Sequence, residues 1–196
     1  LLHGCTPDVS TVEDVPEQVL KTEEVISRRG RSRAVEVPIH SKWDFPPEII
    51  LCYGAAVTEN RVSEAVSFWE NLGYEFGTIR QLSQLEVCQP AWGTITFRLP
   101  TGSELSAAIN ADHMATTRYS SLIEMPEVLV MSEIYFQTSD VSPLPRVVEH
   151  ELGHALGWRH ITVSGHLMHP IYRKSGTGTE GLHVENYQYS QLKSRK

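Results

Sequence analysis

His150-Glu151-Leu152-Gly153-His154-Ala155-Leu156-Gly157-Trp158-Arg159-His160 is the stretch on which the reading of this chain turns. On a helix, His150 and His154 stand one turn apart on the same face, so both imidazoles reach a single ion. Glu151 follows the first histidine, beside such an ion but not on it, where a base acting on an activated water must sit. His160 comes six residues after His154. In a continuing helix that distance would be roughly 9 Å along the axis, whereas a zinc–nitrogen bond spans about 2.0–2.1 Å. The helix must therefore stop, and Gly157 is the residue able to take the left-handed conformation that ends it. Three imidazoles leave one tetrahedral position open, which is the pattern of a catalytic zinc site and not of a closed structural one.

Just downstream, Ser164-Gly165-His166-Leu167-Met168-His169-Pro170-Ile171-Tyr172 places a methionine eight residues after His160 in a turn flanked by Gly and Pro. The long cassette followed by such a turn resembles the metzincin zinc endopeptidases. The run Leu167-Met168-His169-Pro170-Ile171-Tyr172 and its spacing from His160 are similar to the matrixin branch. The resemblance implies an α+β, zincin-like domain: a twisted mixed sheet of about four to five strands with an active-site helix, a backing helix and a C-terminal helix. It implies one catalytic Zn2+ held by His150, His154 and His160, Glu151 as general base, and Met168 beneath the metal. Pro170-Ile171-Tyr172 would form the outer wall of the pocket for the first residue after the scissile bond. Some metzincins carry a tyrosine two residues past the methionine as an extra ligand; Pro170 stands there, so that role is not carried over. Ile161 also departs from the serine usual after the third histidine. Neither a cysteine-switch motif nor an acidic, glycine-rich calcium loop is recognisable. The strong match covers roughly residues 143–172.

The whole chain of 196 residues fits one domain with a modest extension. A hydrophobic content of 40% and a charged content of 21% are those of a soluble globular protein, and a monomer is expected. The net charge of −7 argues against nucleic acid or an anionic membrane surface as the main partner. No apolar run approaches the length of a membrane-spanning helix. Leu1-Leu2-His3-Gly4-Cys5 resembles the lipobox that ends a bacterial lipoprotein signal peptide, with Cys5 as the lipidated residue. The other reading is a trimmed terminus with an incidental cysteine. Setting Cys5 aside leaves Cys52 and Cys88, a candidate disulfide in an exported protein or two buried thiols in a reducing compartment. Export, to a bacterial envelope or outside the cell, is the expectation that goes with the disulfide.

Residues 6–45 read as an extension, acidic first and then basic at Arg28, Arg29, Arg31 and Arg33. A tether, a propeptide cleaved near Arg28-Arg29-Gly30-Arg31, and a solvated arm all fit it. Pro16–Arg29 has the spacing of a short helix with a thin apolar face, and Asp44 is a candidate latency cap on the zinc. The catalytic domain is expected from Pro46 onward, as residues 46–196. Glu48–Val57 suits a buried strand. Asn60–Leu72 has helical spacing and stops at Gly73. Tyr74–Arg80 and Trp92–Leu99 alternate as strands, and Val128–Gln137 is the last strand. Between Thr101 and Pro126 the pattern is poor, with a short edge strand expected around Met114–Tyr119 and His113 available nearby. Ser142 and Pro143 have the residue types of an N-cap and first turn for the active-site helix. Arg173–Gly181 reads as a mobile loop, and a closing helix is expected over His183–Lys193. His166, His169 and His183 lack ligand spacing and read as surface or loop residues.

The activity expected from these residues is zinc-dependent hydrolysis of peptide bonds in protein or peptide substrates. Two rivals stand beside it: a catalytically silent, zinc-stabilised binding or inhibitory module, and a protease held latent by residues 6–45. The presence of Glu151 argues against the silent module, because a structural zinc site has no use for that base.

Overall fold

The computed structural model describes residues 20–28, 41–110 and 113–184, with the side chains of 41–106 and 114–184. Two strands come from the stretch read as an extension: β1 (Leu20–Arg28) and the short β2 (Lys42–Trp43). Five more follow: β3 (Glu48–Leu51), β4 (Ile79–Gln81), β5 (Thr94–Phe97), β6 (His113–Leu122) and β7 (Val128–Phe136). The sheet runs β1-β6-β7-β5-β3-β4, with β2 pairing β7 beside this path. β4, β3, β5 and β7 are parallel neighbours, while β6 returns antiparallel beside β7 and β1 pairs antiparallel with β6. The sheet is mixed, as expected. Its central strands Ile49-Ile50-Leu51 and Thr94–Phe97 are buried throughout, as parallel strands covered on both faces must be.

Helix α1 (Glu59–Glu70) starts at Thr58, whose Oγ1 accepts from the Arg61 N–H at 3.3 Å. It stops where Gly73 takes φ +93°. Val62, Ala65, Val66 and Trp69 face inward at helical spacing. Helix α3 (Val147–Ala155) lies against α1. The Trp69 indole N–H donates to the Glu149 carbonyl at 2.8 Å, and the Arg61 guanidinium pairs with the Glu149 carboxylate. The core between sheet and helices is filled by Trp69, Phe97, Ile134, Phe136, Leu152 and Met168, all essentially without solvent contact. Cys52 and Cys88, 36 residues apart, are joined as a disulfide with their Cα atoms at 5.5 Å. No described helix is long and apolar enough to cross a membrane.

Several expectations need correction. Residues 20–28 are a strand, not part of a helix: Thr22, Val25 and Ile26 are β-branched, and pairing with β6 satisfies backbone that a thin apolar helix face would not have secured. The edge strand expected at Met114–Tyr119 is ten residues long and is covered by β1, so it is not an edge. A helix, α2 (Gly102–Asn110), occupies part of the region where no pattern was legible. The active-site helix starts at Val147, with Arg146 and not Ser142 in the N-cap position. Pro145 explains the late start, since it lacks an N–H and drives the preceding Leu144 out of the helical region. The strand begun at Glu48 ends at Leu51, ahead of a turn in which Gly54 has φ +75°. The closing helix, from residue 185 onward, and Cys5 lie outside the described residues.

Candidate active site

Helix α3 carries His150 and His154, and their Nε2 atoms lie 3.0 Å apart. After Ala155 the chain reverses at Gly157, which has φ +98°; a Cβ there would stand 2.1 Å from the Ser41 carbonyl oxygen. Only glycine satisfies both the left-handed backbone and that close approach. The reversal brings His160 Nε2 to 3.2 Å from His154 Nε2. The Ile161 N–H then donates to the Met168 carbonyl at 2.9 Å, tying the third-histidine segment to the methionine turn.

The outward nitrogens are already committed. His150 Nδ1 bonds the Leu167 carbonyl at 2.8 Å and His154 Nδ1 bonds the Trp158 carbonyl at 2.7 Å. A carbonyl only accepts, so each Nδ1 carries the proton and each Nε2 presents a bare lone pair. Burial pushes His150 down to about 4 and His160 down to about 3, and burial with the neighbouring imidazoles pushes His154 well below the ordinary value. All three are therefore neutral near pH 7. Their ligand atoms lie within 4.8 Å of one another. Facing lone pairs at such separations repel unless a cation sits among them, and the set of three neutral imidazoles fits a zinc-type ion.

Glu151 is fully buried beside this cluster, and Thr117 Oγ1 on β6 donates to its Oε2 at 2.6 Å. Met168 is also fully buried, beneath α3. Gly153 makes room for it: a Cβ there would meet Met168 Sδ at 2.6 Å and Trp69 Cζ2 at 2.7 Å. His166 and His169 lie in the loop, as one half of their reading had it, but are buried there and not on the surface. Their Nδ1 atoms accept from the N–H groups of Met168 and Ile171, each at 3.0 Å, so both hold the turn in shape. His183 is exposed, as expected. Asp44 pairs with Lys42 at 3.3 Å and is not among the residues of the cluster or its cavity. The side chain of His113 lies outside the described residues.

Beside His150 and Glu151 opens a small cavity. Pro170 and Tyr172 line it, as do Met114, Arg146, Val147 and Ser175; Ile171 is not one of its walls. Arg146 escaped the sequence reading, and Met114 and Thr117, within the strand expected at Met114–Tyr119, were given no role of their own. For Arg146 a signal existed, since it precedes His150 by four residues and so shares its side of the helix. For Thr117 none did, because nothing local marks which strand position faces Glu151.

Three converging imidazoles on and just past a helix, a carboxylate next in sequence and a buried methionine turn define a metzincin-type metallopeptidase fold and site. The matrixin family model matches residues 56–191, well over half of the chain. The chain belongs to the matrixin family, a family of zinc metalloproteases. No curated protein and no solved structure matches it significantly.

Proposed function

We propose that the protein is a zinc-dependent endopeptidase, with His150, His154 and His160 holding one Zn2+ and Glu151 acting as general base. The observation that carries this reading is the convergence of three imidazole Nε2 atoms next to a buried carboxylate in a matrixin chain. When bound, the zinc supplies a Lewis acid that polarises the scissile carbonyl and acidifies the attacking water. Glu151 removes a proton from that water as its oxygen adds to the carbonyl carbon, then hands the proton to the departing amine nitrogen. The C–N bond breaks and one water is consumed. Thr117, donating to Oε2, fixes the carboxylate so that Oε1 is the oxygen directed to the proton transfers. Pro170 and Tyr172 bound the cavity for the residue that follows the scissile bond, and Met168 supports the histidines from below. The test is zinc content measured alongside Glu151-dependent cleavage of a denatured protein.

One observation favours a second reading, latency. An extended peptide binds a sheet by adding a strand to its edge, and the outer edge of β6, next to Glu151, is taken by β1. Val25 stands opposite Thr117 and Ser27 opposite Ala115. A substrate pairing with β6 must displace this segment first. The Cys52–Cys88 disulfide supports a working place in an oxidising compartment.

A further inference from the structure

Strand register decides which loops share an end of the sheet. β3, β5 and β7 run parallel, and β6 ends where β7 begins. Segments 44–47 and 90–93 and the β6–β7 turn, 123–127, therefore lie at one end. Each presents a large apolar residue to solvent: Phe45 is 39% exposed, Trp92 48%, Ile123 55% and Met125 46%. Backbone bonds tie the three segments side by side. The Glu48 N–H donates to the Gly93 carbonyl at 2.9 Å, the Gly93 N–H to the Val130 carbonyl at 2.7 Å, and the Val128 N–H to the Met125 carbonyl at 2.9 Å. A Cβ on Gly93 would stand 3.4 Å from the Phe45 ring, which places that ring beside Trp92. Apolar side chains grouped in water on one end of a domain mark a contact surface.

We propose that this end docks on the lipid surface in which the chain's own Cys5 is anchored. β1 begins here, since Leu20 stands opposite Leu122, next to Ile123. Fifteen residues before Leu20 comes Cys5, in the lipobox-like string Leu2-His3-Gly4-Cys5. A lipid on Cys5 keeps the start of β1 within about 50 Å of the bilayer even on a fully extended tether. The end of the molecule nearest the anchor is thus the one that carries the apolar group. Trp92 supplies the amphipathic ring favoured at the level of the headgroups. Charge says which surface is meant. The three segments hold no Lys or Arg, and Glu124 and Glu127 lie among the apolar residues, so the partner is a neutral, zwitterionic surface. Asp44 adds little, being paired with Lys42. Met114, in the wall of the catalytic cavity, is eight residues along β6 from Leu122, roughly 27 Å. Docking at this end holds the cavity off the membrane.

The experiment couples the full chain through Cys5, the one thiol outside the Cys52–Cys88 disulfide, to a maleimide-headgroup lipid in phosphatidylcholine vesicles. Of the four tryptophans only Trp92 is exposed, so it reports on this face. Brominated phosphatidylcholine should quench its emission by about half, as for a ring at the headgroup level, and the signal should vanish in Trp92→Phe. Ile123→Ser with Met125→Ser should remove most of the quenching. Val87→Ser with Leu99→Ser, exposed apolar residues at the opposite end of β3 and β5, should leave it unchanged. Adding phosphatidylglycerol should weaken it. Unquenched Trp92 on coupled protein, quenching that depends on Val87 and Leu99 instead, or quenching strengthened by anionic lipid would each overturn the proposal. So would a blue shift of Trp92 with rising protein concentration and no vesicles, which would mean that a second copy covers the face. The anchor is read separately by mass spectrometry of the chain made behind a bacterial lipoprotein leader. Acylated Cys5, absent in Cys5→Ser, supports the proposal, and unmodified Cys5 overturns it.

Discussion

Thr117 shows how one hydroxyl on a strand governs a carboxylate on a helix. Its Oγ1 lies 2.6 Å from Glu151 Oε2 and 3.3 Å from the Glu151 carbonyl oxygen, so a single donor fixes both the rotamer and the height of the carboxylate. Thr117→Val keeps the shape and removes the donor. The expected outcome is a fall in kcat of about tenfold, of the order of one lost hydrogen bond to a charged group, with KM little changed and Thr117→Ser close to wild type. Steady-state kinetics on a single peptide checks this; an unchanged kcat would show that Glu151 is positioned by other means. The histidines are fixed by the same logic. Each of His150 and His154 spends Nδ1 on a backbone carbonyl, and those carbonyls come from segments beyond the helix. The two imidazoles are thus oriented by the turn at Leu167 and the reversal at Trp158.

The last two long strands are braced from outside by α2. Glu104 on α2 bonds the Arg98 guanidinium at 2.8 and 2.9 Å and pairs with Arg118 on β6, while Arg98 also bonds Glu133 on β7 at 2.6 Å. Hydrogen bonding from Arg98, above all, holds the Glu104 carboxyl well below the usual carboxylate range. A carboxyl depressed in the folded state contributes stability that is complete above its unfolded value of about 4.3 and is lost as the pH falls below that value. Glu104→Gln should therefore cost about 1.5–3 kcal/mol at pH 7, with the gap to wild type narrowing as the pH falls toward 3. Urea unfolding at both pH values checks the sign; a gap that widens in acid would contradict it. None of this brace was legible in the sequence, because Glu104, Arg118 and Glu133 meet only through sheet pairing and the placement of a short helix. What was legible had a local cause. The cassette fixed its own helix and its own stop at Gly157, and the apolar periodicity of Val62, Ala65, Val66 and Trp69 marked α1. The start of α3 was misread because Ser142-Pro143 carries a helix-start pattern, which Pro145 then overrules two residues later. The strand at 20–28 was misread because its partner, β6, lies nearly a hundred residues away in the chain.

At the scale of the whole molecule, the sheet places β6 between the helix that carries the chemistry and a segment from the far N-terminal side. If β1 blocks peptide addition, Val25→Pro in the full chain should weaken its pairing, since proline removes a backbone donor and fits poorly within a strand. The expected result is a rise in kcat/KM for a peptide of at least about tenfold, the equivalent of about 1.4 kcal/mol less competition; a fall or no change would make β1 a purely structural strand. The central claim is simpler and rests on the cassette with which the chain was first read. Zinc content by metal analysis, paired with cleavage of a denatured protein by wild type and by Glu151→Ala, tests it most directly. The account predicts one zinc per chain in both proteins and cleavage reduced about 10²–10⁴-fold in the variant. Stoichiometric zinc with no Glu151-dependent cleavage would contradict it.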